Sequence, residues 1–253
     1  MEGSRSGRTL KGAFVAVTSL FFMWGFITVL VDALIPRLKE VFELTFLQAG
    51  LVQFAWFAAY GLLSIPGGNL ISKIGYQRGI LVGLTTAGVG CLLFYPAATT
   101  RLYPLFLLAL FVVAGGITIL QVAANPYISV LGPEESASAR LNLSQAFNSF
   151  GTTLAPVVAA SFLLGDQILS SEAIHALSES ERLAYYAREA SAVQVPFVLL
   201  ALAFFALAGV VGLITLPKIL EVGESERRGY HHVFNDKKLL FGALGIFVYV
   251  GAE

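Results

Sequence analysis

One carboxylate and a handful of side-chain amides are the groups here with chemistry to offer. Asp32 follows an uncharged stretch of 20 residues (12–31) and stands four residues before Pro36. An ionisable residue at the centre of a membrane-depth apolar segment costs about 2.5–3.5 kcal/mol or more, so its presence near one points to function. A carboxylate there can take up a proton or Na⁺ and can accept hydrogen bonds from sugar-type hydroxyls. The competing reading is a carboxylate that merely ends a helix beside Arg37 and Lys39. Gln121 and Asn125 are four residues apart and share one face of a helix. Their amides match the donors and acceptors of vicinal hydroxyls, or else bond to a neighbouring helix. Asn125-Pro126 frees a backbone carbonyl one turn earlier, an irregularity tolerated where helices line a polar space. Asn142, Gln145, Asn148 and Ser149 recur at three- and four-residue spacing and form a polar stripe that must face a polar neighbour or cavity, not lipid. Trp24, Phe54, Trp56 and Tyr60 could stack on the apolar face of a pyranose, or simply pack. One carboxylate with at least four amides suits an uncharged polyol better than an ion or a lipid.

The elements that would hold these groups follow from the distribution of charge. The chain has 253 residues, 57% hydrophobic and 13% charged, against about 25% charged in a soluble domain. Its 16 basic and 16 acidic residues cancel, which leaves no basic face for nucleic acid. The charges are bunched. Uncharged runs cover 12–31, 44–72, 79–100, 102–133, 141–165 and 190–217, with a shorter one of 14 residues at 239–252. Six of them are long enough to cross a hydrocarbon core of about 30 Å as helices. Strands would leave backbone groups unpaired in lipid, and the ten-residue alternation of a barrel is missing. The expected fold is an all-α, multi-pass membrane protein in a lipid bilayer.

Lys and Arg set the orientation. The N-terminus and even-numbered loops hold eleven, from Arg5 to Lys238, and the odd-numbered loops hold five, which places the N-terminus in the cytoplasm. The first run exceeds the apolar core of a cleaved signal and is followed by no cleavage pattern. Short loops after spans 1–4 predict antiparallel neighbours. The stretch 166–189 reads as an external amphipathic helix, with a capping box at Ser178-x-x-Glu181 and Leu183, Ala184 and Ala187 on one face. Gly79-x-x-x-Gly83 marks close helix packing. Gly61-x-x-x-x-Pro66 in span 2 is echoed by Gly151-x-x-x-x-Pro156 in span 5, which suggests two three-helix repeats of inverted topology. The lone Cys91 forms no intrachain disulfide, and the adjacent His231-His232 make a poor chelate, so no metal site is expected. P-loop, zinc and nucleophile-elbow motifs are missing, and nothing argues for an enzyme.

Gly68-Asn-Leu-Ile-Ser72-Lys73-Ile-Gly75-Tyr-Gln-Arg78 resembles the cytoplasmic loop signature of the major facilitator superfamily, with Ser72 where that family usually has Asp. Phe21-Phe-Met-Trp24-Gly, Asp32-Ala-Leu-Ile-Pro36, Leu47-Gln-Ala-Gly-Leu-Val-Gln53, Gln121-Val-Ala-Ala-Asn125-Pro126-Tyr127 and Arg140-Leu-Asn-Leu-Ser-Gln145-Ala-Phe-Asn148-Ser resemble its sugar-transporting branch, which contains the L-fucose:proton symporter and the glucose/galactose transporters. The resemblance runs from about residue 14 to the end.

That resemblance implies a secondary carrier of the bacterial inner (cytoplasmic) membrane with a monosaccharide substrate. Asp32 would couple a cation, H⁺ or Na⁺, with no other cofactor. Trp24, Gln121, Asn125, Asn142, Gln145 and Asn148 would bind sugar, and Gly68, Lys73, Gly75 and Arg78 would belong to the cytoplasmic gating loop. Gln121 stands where the fucose symporter has glutamate, which favours glucose or galactose; fucose and N-acetylglucosamine are the alternatives. It also implies twelve helices. Residues 1–217 would be the N-terminal six-helix bundle of 3+3 inverted repeats, 218–236 the central cytoplasmic loop, and 237–253 the start of helix 7. The C-terminal half would be the missing partner. A non-transporting membrane fragment is the remaining alternative.

Overall fold

The computed structural model describes residues 2–41, 44–163, 169, 173–174, 176–214, 216 and 237–252. Among the described residues, six long helices make up the first compact unit, Met1–Ile219. They are α1 (Glu2–Val41), α2 (Phe46–Ile74), α3 (Tyr76–Thr100), α4 (Tyr103–Val130), α5 (Ala137–Leu163) and α6 (Glu179–Leu213), with a single 3-10 turn at Glu134–Ser136. A second unit, Leu220–Glu253, contains α7 (Lys237–Ala252). The expected central loop at 218–236, with His231-His232, lies outside the described residues.

Among the described residues, five helices are long and apolar enough to cross a membrane: 12–33 of α1, then α2, α3, α4 and α6. Local sequence sets the helix ends. Thr45 and Gln48 form a capping box at the start of α2, and Ser178 and Glu181 form the expected one at the start of α6. Gly75, at φ +83°, ends α2 and begins α3 in one residue, a backbone region that strongly favours glycine.

Three expectations need correction. Asp32 does not close its helix, since α1 runs unbroken past Pro36 to Val41. The external amphipathic helix is continuous with the sixth span, and its predicted apolar face is turned out. Leu183, Ala184 and Ala187 are exposed, whereas Tyr185 and Glu189 are buried. Nor do successive spans simply pack side by side. The closest pairs are α3 with α4, α1 with α5, α3 with α6, and α2 with α4, while α1 and α2 approach at few points. A short connection fixes the direction of the next helix, but small residues decide which faces can meet.

The glycines show this. At the α3–α4 crossing a Cβ on Gly83 would lie 2.8 Å from the Leu120 nitrogen and 2.9 Å from the Gly116 carbonyl oxygen. Gly79, one turn earlier, faces the Ala123 Cβ of α4 at an ordinary 3.5 Å, and its tight 2.7 Å contact is with the Ile71 side chain of α2. Gly151 seats α5 against the Phe22 carbonyl of α1. On the other side of α3, Phe94 stacks on Phe197 of α6 at 3.7 Å and meets Phe106 edge-on at 5.2 Å. Exchanging helix 1 with 4, 2 with 5 and 3 with 6 converts the α1–α5 pair into α4–α2 and leaves α3–α6 unchanged. The α3–α4 pair departs from this exchange, since its counterpart α6–α1 meets at few points. The Gly-Pro echo is looser still, because a Cβ on Gly61 meets nothing within 4 Å.

Candidate functional site

The expected residues fall into three groups on α1, α2, α4 and α5. Toward the C-terminal end of α1 is Asp32, which is exposed and accepts a 3.2 Å hydrogen bond from the Gln53 amide of α2. The two helices are antiparallel neighbours in sequence, so eight residues back along α1 and seven forward along α2 lead to a second meeting point. There the Trp24 indole and the Tyr60 hydroxyl come together. Each interval is about two turns, roughly 11–12 Å. The Gln121 amide of α4 donates to the same Tyr60 oxygen at 2.8 Å. Long polar side chains thus bridge α1 and α2 where their backbones stand apart.

One turn beyond Gln121, the Asn125 side-chain oxygen is buried without a hydrogen-bond partner. Such an orphaned acceptor costs about 1–3 kcal/mol and needs an explanation. The third group is the stripe on α5. The Asn148 amide donates to the Phe21 carbonyl of α1 at 3.0 Å, with Gly25 giving it room. Ser144 is buried and shares a 3.2 Å hydrogen bond with Thr18 of α1. Gln145 is half-buried, whereas Asn142 and Ser149 are exposed. The stripe is therefore divided: Asn148, together with Ser144 outside the stripe, fastens α5 to α1, while Asn142 and Ser149 remain at the surface of this unit.

The aromatic candidates divide too. Trp56 is buried, with its ring 6.3 Å from that of Tyr60, and Phe54 is 67% exposed. Trp24 and Tyr60 are half-buried and belong to the polar cluster. The signature 68–78 is hardly a loop. Gly68 lies inside α2, 3.8 Å from Val122 as judged by an added Cβ, Lys73 is in the last turn of α2, and Arg78 is in the first turn of α3. Only Gly75 is non-helical. Ser72 bonds back to the Asn69 carbonyl of its own helix at 2.8 Å.

Sequence reasoning overlooked several partners. Gln53 was visible only as part of a motif, and the Tyr60 hydroxyl was hidden by its ring. Gln77 donates to the Val211 and Ile214 carbonyls at 2.8 and 2.7 Å and so caps α6. Arg140 reaches the Ile128 and Ser129 carbonyls at the end of α4, the Pro133 carbonyl and the Ser136 hydroxyl. Its positive charge thereby sits at the negative end of the α4 dipole. Charge counting located Arg140 in a loop but said nothing of these acceptors.

A carboxylate, amides, a phenol and an indole around closely packed helices can bind a neutral hydroxylated ligand and a cation. The Major Facilitator Superfamily profile matches residues 13–252. The chain belongs to that superfamily. It is 49% identical over 244 residues to a glucose/galactose transporter of Brucella abortus biovar 1 (strain 9-941), covering 95% of this chain and 55% of the relative. It is 35% identical over 247 residues to the L-fucose-proton symporter of Escherichia coli (strain K12), covering 95% of this chain and 56% of that one. The crystal structure of the superfamily transporter FucP in the outward conformation superposes with a TM-score of 0.74 at 38% identity, over 84% of this chain and 51% of FucP. The chain thus spans about half the length of the relatives it matches. Membership agrees with the resemblance in the signature 68–78 and in the motifs around Asp32, Gln121 and Asn148.

Proposed function

We propose that this chain is the N-terminal half of a secondary symporter of the bacterial inner membrane. It carries a neutral hexose of the glucose or galactose type by alternating access, with H⁺ or Na⁺ as the coupling ion and the N-terminus in the cytoplasm. The C-terminal half would close the substrate site from the other side, and 218–236 would be the connecting loop. The supporting observation is the setting of Asp32. It lies inside a continuous apolar helix, and its described partner is the neutral Gln53 amide. A carboxylate held by an amide rather than by a base keeps its capacity for a cation. Gln121, Asn125, Gln145, Asn142 and Trp24 would contact sugar hydroxyls or the sugar face. Asn148 would do so only with the part of its amide that Phe21 leaves free. Gly68, Lys73, Gly75 and Arg78 would form the hinge between α2 and α3 at the cytoplasmic gate.

The test is uptake of labelled glucose and galactose into vesicles containing the complete gene product, with and without an imposed proton or Na⁺ gradient. Gradient-driven accumulation should appear in the wild type and vanish in Asp32→Asn, while downhill exchange persists. Accumulation unaffected by Asp32→Asn would remove the coupling role. Competition with fucose and N-acetylglucosamine decides the substrate.

A further inference from the structure

The Tyr60 hydroxyl joins α2 to α4, and hydrogen-bond valence restricts what it can do. An amide nitrogen only donates. With the Gln121 Nε2 donating at 2.8 Å, the phenol oxygen acts as an acceptor. Its own proton must then go elsewhere, and no acceptor for it occurs among the described residues. The same bond orients Gln121: with Nε2 turned to Tyr60, the Oε1 carbonyl is the end left free. A phenol O–H beside an amide carbonyl is a matched donor and acceptor. Together they suit one hydroxyl group, which can accept from the first and donate to the second.

We propose that Tyr60 is a substrate-binding residue, donating to one hydroxyl of the sugar while holding the Gln121 carbonyl toward the same hydroxyl. This rests on the sugar-transport reading and narrows it. The pair would recognise the presence of that hydroxyl, a discrimination that stacking on Trp24 cannot supply. A carboxylate at position 121 would accept the Tyr60 proton and so withdraw the donor from the substrate.

The experiment measures binding of glucose, galactose and each of their mono-deoxy analogues to the complete gene product in detergent, by calorimetry. Wild type should lose about three- to tenfold in affinity for one particular deoxy analogue. Tyr60→Phe keeps the ring packing against Trp56 and should bind the parent sugar about three- to tenfold more weakly. Its penalty for that one analogue should disappear, while the penalties for the others persist. Gln121→Glu should erase the same penalty by a second route. Tyr60→Phe binding like wild type, or losing affinity equally for every analogue, overturns the proposal. If the wild type binds its parent sugar normally, that failure leaves the transport reading standing; absence of hexose binding by the wild type overturns both.

Discussion

Gly151→Ala and Gly61→Ala place the same small change at equivalent points of the two Gly-x-x-x-x-Pro segments, and the structure requires opposite results. At Gly151 a Cβ would lie 3.0 Å from the Phe26 nitrogen and closer still to the Phe22 carbonyl oxygen. Both are backbone atoms of α1, so no side chain can swing aside, and α5 must retreat by on the order of 1 Å to restore van der Waals contact. Asn148 is one turn away, and its 3.0 Å bond to the Phe21 carbonyl would be stretched beyond hydrogen-bond range. Overpacking costs about 1–3 kcal/mol, and an interhelical hydrogen bond about 0.6 kcal/mol on average. Against this, alanine gains about 1 kcal/mol of helix propensity over glycine. The net expectation is a loss of about 1–2 kcal/mol, seen as a fall of a few degrees in the thermal midpoint in detergent micelles. At Gly61 nothing lies within 4 Å, so only the propensity gain remains and stability should hold or rise. A Gly151→Ala protein as stable as wild type, or a Gly61→Ala protein less stable than Gly151→Ala, would refute the packing argument.

The remaining predictions concern the α4–α5 corner and the topology. Arg140→Lys keeps the charge but cannot reproduce a fork that reaches the ends of four acceptors. It should cost about 1–2 kcal/mol and expose the turn around Pro133–Ser136 to faster proteolysis, which limited digestion would show. Ser180→Cys introduces an exposed thiol on the side assigned to the exterior, while the buried Cys91 should stay silent toward a maleimide. Labelling of intact cells by an impermeant reagent is expected; labelling confined to inverted vesicles would reverse the topology.

The polar pairs show how far the sequence could be read. Gln121 and Asn125 on one face, the capping box at Ser178 and Glu181, and the close approach at Gly83 are consequences of spacing along one helix. All were legible. The bonds Asp32–Gln53, Gln121–Tyr60 and Asn148–Phe21 join residues 21, 61 and 127 positions apart, and no local pattern encodes them. Asn148 illustrates the difference. Its spacing placed it correctly on the polar stripe, but the stripe could not say whether sugar or the α1 backbone would receive the amide.

By itself the sequence determined six long helices with polar residues on definite faces. A 3.6-residue period and the exclusion of charge from lipid act locally, and both can be counted. The tertiary structure decided that α1 packs on α5 rather than on α2, that Asp32 meets Gln53, and that Gln121 reaches the Tyr60 oxygen. Those outcomes depend on where glycines on different helices permit backbones to meet, and on which long side chains then span the gaps that are left.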